Sequence, residues 1–261
     1  MVISRSPPRA HVDYPSEDGQ PMAESDFQRE PLTYAVEALG AYFQQRADVY
    51  VSGNLFIYYE EGNPEAVVAP DVFVVFGAPK HRRSSYMLWN EPKAPDFVME
   101  ITSRRTRSQD QGPKRGTYAF LGVQEYVLYD PTSDYLRPPL RGLSLVGDNY
   151  ELMPTTVLPD GTLTLYSNVL ALELRLVHGV LRFVDPTTSQ RLLSHREAEQ
   201  ARQEAERARQ EAEQARQEAE RARQEAEEHA RRETAARAEA EARLAAVEAQ
   251  LRALREQGEE L

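Results

Sequence analysis

The strongest constraint on this chain lies at its C-terminal end. QARQEAE at 200–206 is followed by RARQEAE at 207–213, and the two alternate again through Glu227. Alanines fall at 201, 205, 208, 212, 215, 219, 222 and 226, the 4-3 spacing of a coiled-coil seam. No Gly or Pro interrupts residues 195–257, and Ala has the highest helix propensity. Arg202 and Glu206, and Arg207 and Glu211, stand four apart, where an ion pair contributes roughly 0.2–0.5 kcal/mol. The spacing predicts one long helix over 195–261, projecting from whatever precedes it. Each seam alanine buries little apolar area. Larger seam residues, Leu244, Val247, Leu251 and Leu254, come only at the end, and His229 and Glu233 interrupt the stripe. A helix this long with a narrow apolar stripe gains most from a partner, so a homo-oligomer through a coiled-coil tail is expected.

The tail also accounts for the composition. Apolar residues are 41% of the 261 and charged residues 28%. Residues 196–261 hold 18 of the 42 acidic and 13 of the 31 basic side chains, leaving 24 and 18 in residues 1–195. Both parts are net acidic, which argues against nucleic-acid binding by bulk charge but not against a local basic groove. The absence of cysteine excludes disulfides, thiolate metal sites and cysteine nucleophiles. No apolar run approaches the ~20 residues of a membrane span, and Met1–Arg29 has no apolar h-region. The expectation is a cytoplasmic protein with no membrane partner.

Ahead of the tail the periodicity changes several times. Residues 1–29, with Pro7, Pro8, Pro15 and Pro21, read as a mobile lead-in. Leu32 to Arg46 has helical spacing at Leu32, Ala35, Val36, Leu39, Tyr42 and Phe43. Strand-like stretches follow: 48–59 broken at Ser52-Gly53-Asn54, VVAPDVFVVF at 67–76, PDFVMEIT at 95–102 and EYVLY at 125–129. Pro70 must sit at an edge or bulge of its strand. Gly77–Lys93 reads as a basic irregular connection. Between the last two strands the sequence predicts a helix with Asp110 as N-cap, Pro113 in the first turn and Gly122 at C′. Residues 138–184 read as hairpins turning at Gly147-Asp148-Asn149, Pro159-Asp160-Gly161 and His178-Gly179. The order predicts an α/β domain over 30–185, a mixed β-sheet flanked by helices.

Two carboxylates stand out in apolar strands: Asp71 and Glu100. Carboxylates are rarely buried without partners, and a hard cation such as Mg²⁺, which takes one or two protein carboxylates, would explain both. Lys114 lies four residues after Asp110 and four before Tyr118, on one face of the helix that follows. Asp96 is a rival in a second Pro-Asp. It stands four residues from Glu100 on one strand, about 13 Å away, too far to share an ion, whereas a neighbouring strand lies only ~4.8 Å away. Each candidate has an ordinary alternative: Asp71 can open a strand after Pro70, Glu100 can pair with an arginine, and Lys114 can be a solvated helix lysine.

The constellation of Pro-Asp on one strand and a glutamate on the next resembles the PD-(D/E)XK superfamily of metal-dependent nucleases. Within it the chain is similar to a bacterial restriction endonuclease family, through APDVFVVFG (69–77), APDFVMEITSRRTRSQDQGPKRGTYAFLGVQEYVLYDP (94–131), the LWNEPKAPDF and DPTSDYLRPPL runs and the heptad tail. The resemblance implies a restriction endonuclease-like fold and Asp71, Glu100 and the carbonyl of Ile101 as ligands of Mg²⁺ or Mn²⁺. It implies Lys114 as third catalytic residue and DNA as substrate. One position departs from the superfamily: the lysine of Glu-x-Lys should be residue 102, which is Thr102. The family's lysine comes from the next helix in an Asp-x₃-Lys-x₃-Tyr pattern, matched here by Asp110, Lys114 and Tyr118. Arg82, Arg83, Arg104 and Arg105 are candidate phosphate contacts, with a solvated loop as the alternative. Glu37, on the first helix, is a surface glutamate on this reading. The chain is then a metal-dependent endonuclease, or else a catalytically degenerate nuclease fold that serves as a scaffold through its coiled coil. Whether Lys114 points at Asp71 and Glu100 discriminates the two.

Overall fold

The structure, a computed structural model, describes residues 12–15 and 25–259. By its internal contacts the chain divides into two compact units, Met1–Ala198 and Glu199–Leu261.

The first unit is built on a six-stranded mixed sheet whose order follows from which strands can be buried on both faces. Strands β1 (Val49–Ser52), β4 (Val72–Phe76), β6 (Phe97–Ile101), β7 (Glu125–Tyr129), β8 (Leu140–Val146) and β9 (Asn149–Leu152) lie side by side in that order. Only β6 and β7 run parallel; the other neighbours are antiparallel. All residues of β6 and β7 are buried, as central strands covered on both faces must be. Alternate residues serve different cores. Phe97, Met99 and Ile101 join Val72, Val74, Val127 and Tyr129 on one face, while Val98 joins Phe73, Tyr126 and Leu128 on the other.

The first face is covered by α1 (Asp26–Tyr42), which contributes Tyr34, Ala35, Ala38 and Leu39, and by a four-stranded antiparallel sheet. That second sheet comprises β10 (Thr155–Val157), β11 (Leu163–Ser167), β12 (Leu172–Val177) and β13 (Val180–Val184). The two sheets approach closely at Gly142, where a Cβ would stand 2.7 Å from a Leu165 methyl. Buried Glu125 links them: it accepts from the Ser167 hydroxyl and from the Asn168 and Val169 N–H groups. The opposite face carries α2 (Arg107–Gln111), α3 (Pro113–Phe120) and a small sheet of β2 (Ile57–Tyr58), β3 (Val67–Val68) and β5 (Tyr86–Met87).

Several boundaries differ from the sequence expectation. The first helix begins at Asp26, with Pro31 inside it, so it starts ahead of the apolar run from Leu32. The lead-in expected over 1–29 is therefore helical at its end. Within it Tyr14 packs on Tyr58 and Trp89, and Tyr58 donates to the Pro15 carbonyl; residues 1–11 and 16–24 lie outside the described residues. The stretch 67–76 is two strands in two sheets, because Pro70 ends the ladder and its carbonyl accepts from Asn54 N–H. The connection 77–93 contains β5, paired parallel with β2. The helix expected from Asp110 is two helices broken at Gly112 (φ −119°, ψ −97°), and Asp110 lies inside α2 rather than at an N-cap. Gly122 follows α3 at φ +75°, as the C′ expectation has it.

A single helix, α4 (His195–Glu259), makes up the tail. Its start is fastened by a capping box: Ser194 Oγ accepts from Glu197 N–H, and Glu197 Oε2 accepts from Ser194 N–H. Glu37 adds a further acceptor for His195 N–H at 3.0 Å, so it serves this helix end. In the second unit every side chain from 199 to 249 is exposed. Arg223–Glu227 and Arg237–Glu241 pair at 2.9 and 3.2 Å. Arg202 turns back to Glu199 rather than forward to the expected Glu206, a small change, since exposed i,i+3 and i,i+4 pairs differ little in energy. No helix among the described residues is long and apolar enough to cross a membrane.

Candidate active site

The edge of β4 and the end of β6 bring Asp71 and Glu100 together. Val72 pairs with Met99 in the antiparallel ladder, so the residues one step outward, Asp71 and Glu100, stand opposite each other and face the same side. That side is the one covered by α3. Asp71 is half-buried and Glu100 is 1% exposed. Asp71 is fixed by Ile101 N–H, which donates to its Oδ2 at 2.6 Å.

The segment holding Asp71 is pinned from behind. Asn54 N–H donates to the Pro70 carbonyl at 3.0 Å, and a Cβ on Gly53 would stand 2.2 Å from the Asp71 carbonyl oxygen and 2.9 Å from a Val36 methyl. Only glycine admits that approach. Ser52-Gly53-Asn54 carried a turn signal in the sequence, but its closeness to Asp71 is a tertiary fact.

The third participant comes from α3. Lys114 Nζ donates to Glu100 Oε2 at 2.7 Å and to the Ala69 carbonyl at 3.3 Å. One turn on, Tyr118 hydroxyl donates to Glu100 Oε1 at 2.6 Å. Both oxygens of Glu100 are thus engaged from one helix face, which is what the four-residue spacing of Lys114 and Tyr118 provides. Asp110 joins from α2: Oδ1 lies 3.5 Å from Lys114 Nζ. Its carboxylate is fully buried, and neither oxygen has a hydrogen-bond partner. Thr102, where the superfamily carries its lysine, is buried with an unpartnered hydroxyl.

Charge dominates this cluster: three carboxyls surround one ammonium. Burial raises the Asp71 carboxyl above its usual range, with the Ile101 N–H and Lys114 opposing. Burial pushes Glu100 up to about 8; Lys114 opposes this, and Asp71 and Asp110 add to it. Burial pulls Lys114 down, but Glu100, Asp110 and Asp71 together outweigh it and hold the lysine above its ordinary value. Burial therefore favours the neutral form of the Glu100 and Asp71 carboxyls, while the surrounding carboxyls favour the charged form of Lys114.

The other candidates lie apart from this cluster. Asp96 is a structural residue, accepting from Phe76 N–H, Gln124 and Lys93. Arg83 departs from the phosphate-contact expectation. Its guanidinium forms a two-pronged pair with Glu91 at 2.6 and 2.8 Å and stacks over Tyr50, with 3% of its side chain exposed. Those donors are already satisfied, so Arg83 is a structural cation. Lys80 is likewise bound to the carbonyls of Phe43 and Gln44. Arg82, Arg104 and Arg105 are exposed, the latter two in the turn between β6 and α2.

A family model named Uma2, described as "Putative restriction endonuclease", matches residues 6–177. A solved structure described as "a putative nuclease belonging to DUF820" from Anabaena variabilis ATCC 29413 matches at 16% identity, covering 53% of this chain and 74% of that one with a TM-score of 0.36. No curated protein matches.

Proposed function

The chain belongs to the Uma2 family, described as "Putative restriction endonuclease"; proceeding from that membership, we propose that it hydrolyses DNA phosphodiester bonds as a Mg²⁺- or Mn²⁺-dependent endonuclease. The observation that carries the reading is the hydrogen bond from Lys114 to Glu100 beside Asp71. A part-buried lysine turned towards Glu100 and Asp110 supports the enzyme reading over the scaffold reading.

The residues present fit a hard divalent cation. All available donors are oxygens, as Mg²⁺ and Mn²⁺ prefer. With all three carboxyls ionised, the cluster and its ammonium would carry a charge of −2, which one divalent ion would neutralise. Asp110's unpartnered oxygens and the raised Asp71 and Glu100 carboxyls are what a cluster lacking such a counter-charge exhibits. Among the described residues no group of three or more His, Cys, Asp or Glu is arranged to hold an ion alone. Asp71 and Glu100 would thus be the side-chain ligands, with the Ile101 carbonyl, water and a substrate phosphate completing the shell. When bound, the ion supplies a Lewis acid and a water of lowered pKa.

The chain's own residues then have separable tasks. Ile101 N–H fixes the Asp71 carboxylate, and Tyr118 fixes Glu100. Lys114, hydrogen-bonded to Glu100, would stabilise the negative charge that develops on the phosphate oxygens or help deprotonate the attacking water. Gly53 keeps the Asp71 segment in place. The tail's helix is proposed to pair with a second copy, so that two sites act on the two strands of a duplex.

Plasmid nicking with Mg²⁺ or Mn²⁺ tests the proposal. Wild type should convert supercoiled to open-circular DNA, and Glu100→Ala should not. Absence of cleavage by wild type with any divalent metal would transfer the case to the scaffold reading.

A further inference from the structure

Four residues form a row across the sheet on the α3 side. The register places Glu100 beside Leu128 and Leu128 beside Arg141, and Asp71 extends the row on the other flank of Glu100. Residues directly opposite on adjacent strands face the same side. Arg141 therefore shares a face with Glu100 two strands away, about 10 Å at the usual spacing. Leu128, between them, belongs to the core under α3.

The far end of that row, Leu128 and Arg141, lines a groove. Arg115, Leu128, Arg141, Tyr150 and Glu151 line a concavity of about 470 Å³ between α3 and the strands β8 and β9. An adjoining cavity of about 610 Å³ shares Arg115 and Tyr150. Arg115 follows Lys114 on α3, so the helix that sends Lys114 to Glu100 sends the next side chain towards β9. The two guanidiniums are held by main-chain carbonyls only: Arg115 Nη2 donates to Tyr150 O and Arg141 Nη2 to Arg137 O, each at 2.9 Å. Among the described residues no carboxylate pairs with either. A guanidinium oriented by carbonyls keeps its charge and its remaining donors for an anion.

We propose that this groove binds the phosphate backbone of duplex DNA through Arg115 and Arg141, guiding the strand to the carboxylate cluster. This rests on the endonuclease reading and names the surface that would receive its substrate. The ~10 Å between Glu100 and Arg141 would set the groove's phosphates beside the cleaved one rather than at it. It also explains how a net acidic protein can bind DNA: local arginines replace bulk charge.

The test is fluorescence anisotropy of a labelled duplex oligonucleotide, with Glu100→Gln in the full chain as the non-cleaving parent. Adding Arg115→Gln and Arg141→Gln should weaken binding at least about tenfold and make the log Kd against log salt slope shallower by about 2, since each lost phosphate contact removes about 0.9. Adding Arg115→Lys and Arg141→Lys instead should restore most of that slope, whereas Arg29→Gln, on α1, should leave binding unchanged. Equal binding by parent and Gln pair overturns the groove and leaves the nuclease reading standing. Equal losses in the Gln and Lys pairs also overturn it, because the arginines then act structurally. A parent that binds no duplex overturns it outright. If the parent binds through these arginines while wild type nicks no plasmid, the groove stands and the cleavage proposal falls.

Discussion

Lys114 Nζ lies 2.7 Å from Glu100 Oε2, joining the first turn of α3 to the end of β6. Residue 102, directly after β6, is a buried threonine with an unpartnered hydroxyl. On the proposed reading, the lysine of α3 serves in place of one on the strand.

That substitution can be tested by reversing it. Lys114→Met should reduce plasmid nicking by about 100-fold or more, the usual scale for removing a preorganised charge from a transition state. Thr102→Lys in the Lys114→Met background should recover part of the activity. No recovery, with the fold intact by circular dichroism, would mean that residue 102 cannot reach the reacting centre.

The cation-free protein should lose stability as pH rises. Glu100 has a folded pKa raised from 4.5 to about 8, chiefly by burial. Below the unfolded value both states hold the proton and stability is unaffected. Between about 4.5 and 8 the unfolded chain ionises Glu100 freely while the folded chain retains the proton. Unfolding is therefore favoured by up to about 1.4 kcal/mol per pH unit for one group. Melting temperature against pH in chelator should fall across this window, and Glu100→Gln should flatten the curve. Mn²⁺ at 100 times its Kd should add about 2.7 kcal/mol at constant pH in wild type and not in Asp71→Ala.

Gly53→Ala should act on Asp71 without touching any catalytic side chain. The added methyl would fall 2.2 Å from the Asp71 carbonyl oxygen, so the backbone must move. We expect a stability loss of about 1–3 kcal/mol, the scale of overpacking, together with weakened Mn²⁺ binding by calorimetry. Gly40→Ala, where a Cβ meets nothing within 4 Å, is the control. Normal Mn²⁺ affinity in Gly53→Ala would show that the loop does not position Asp71.

Sedimentation of the full chain should reveal a concentration-dependent oligomer, and a chain ending at Ala198 should be monomeric. The cut belongs after 198 because Glu197 completes the cap with Ser194 and pairs with Arg182 at 3.3 Å. Two monomers at micromolar concentration would remove the pairing role from the tail.

The sequence was most legible where one residue's neighbours along the chain decide its state. The tail's helix follows from alanine spacing and the absence of Gly and Pro, and no distant contact is needed to form it. Lys114 and Tyr118 share a helix face by spacing alone, and Asp71 and Glu100 were visible as charges embedded in apolar strands. By contrast, the split of 67–76 at Pro70 was not legible, because which sheet each half joins depends on β2 and β1 as partners. The break at Gly112 was hidden for a similar reason: Asp110 looked like a cap, and only packing against the sheet makes it a buried member of the cluster.

The sequence by itself determined the periodic helix, the central apolar strands and the residue types of the site, since these depend on short-range spacing and propensity. Only the tertiary structure decided the row Asp71–Glu100–Leu128–Arg141, the commitment of Arg83 to Glu91 and the pinning of Asp71 by Gly53. Strand register and burial are set by contacts between residues remote in the chain, and it is register that decides which charges meet and which guanidiniums are left for a ligand.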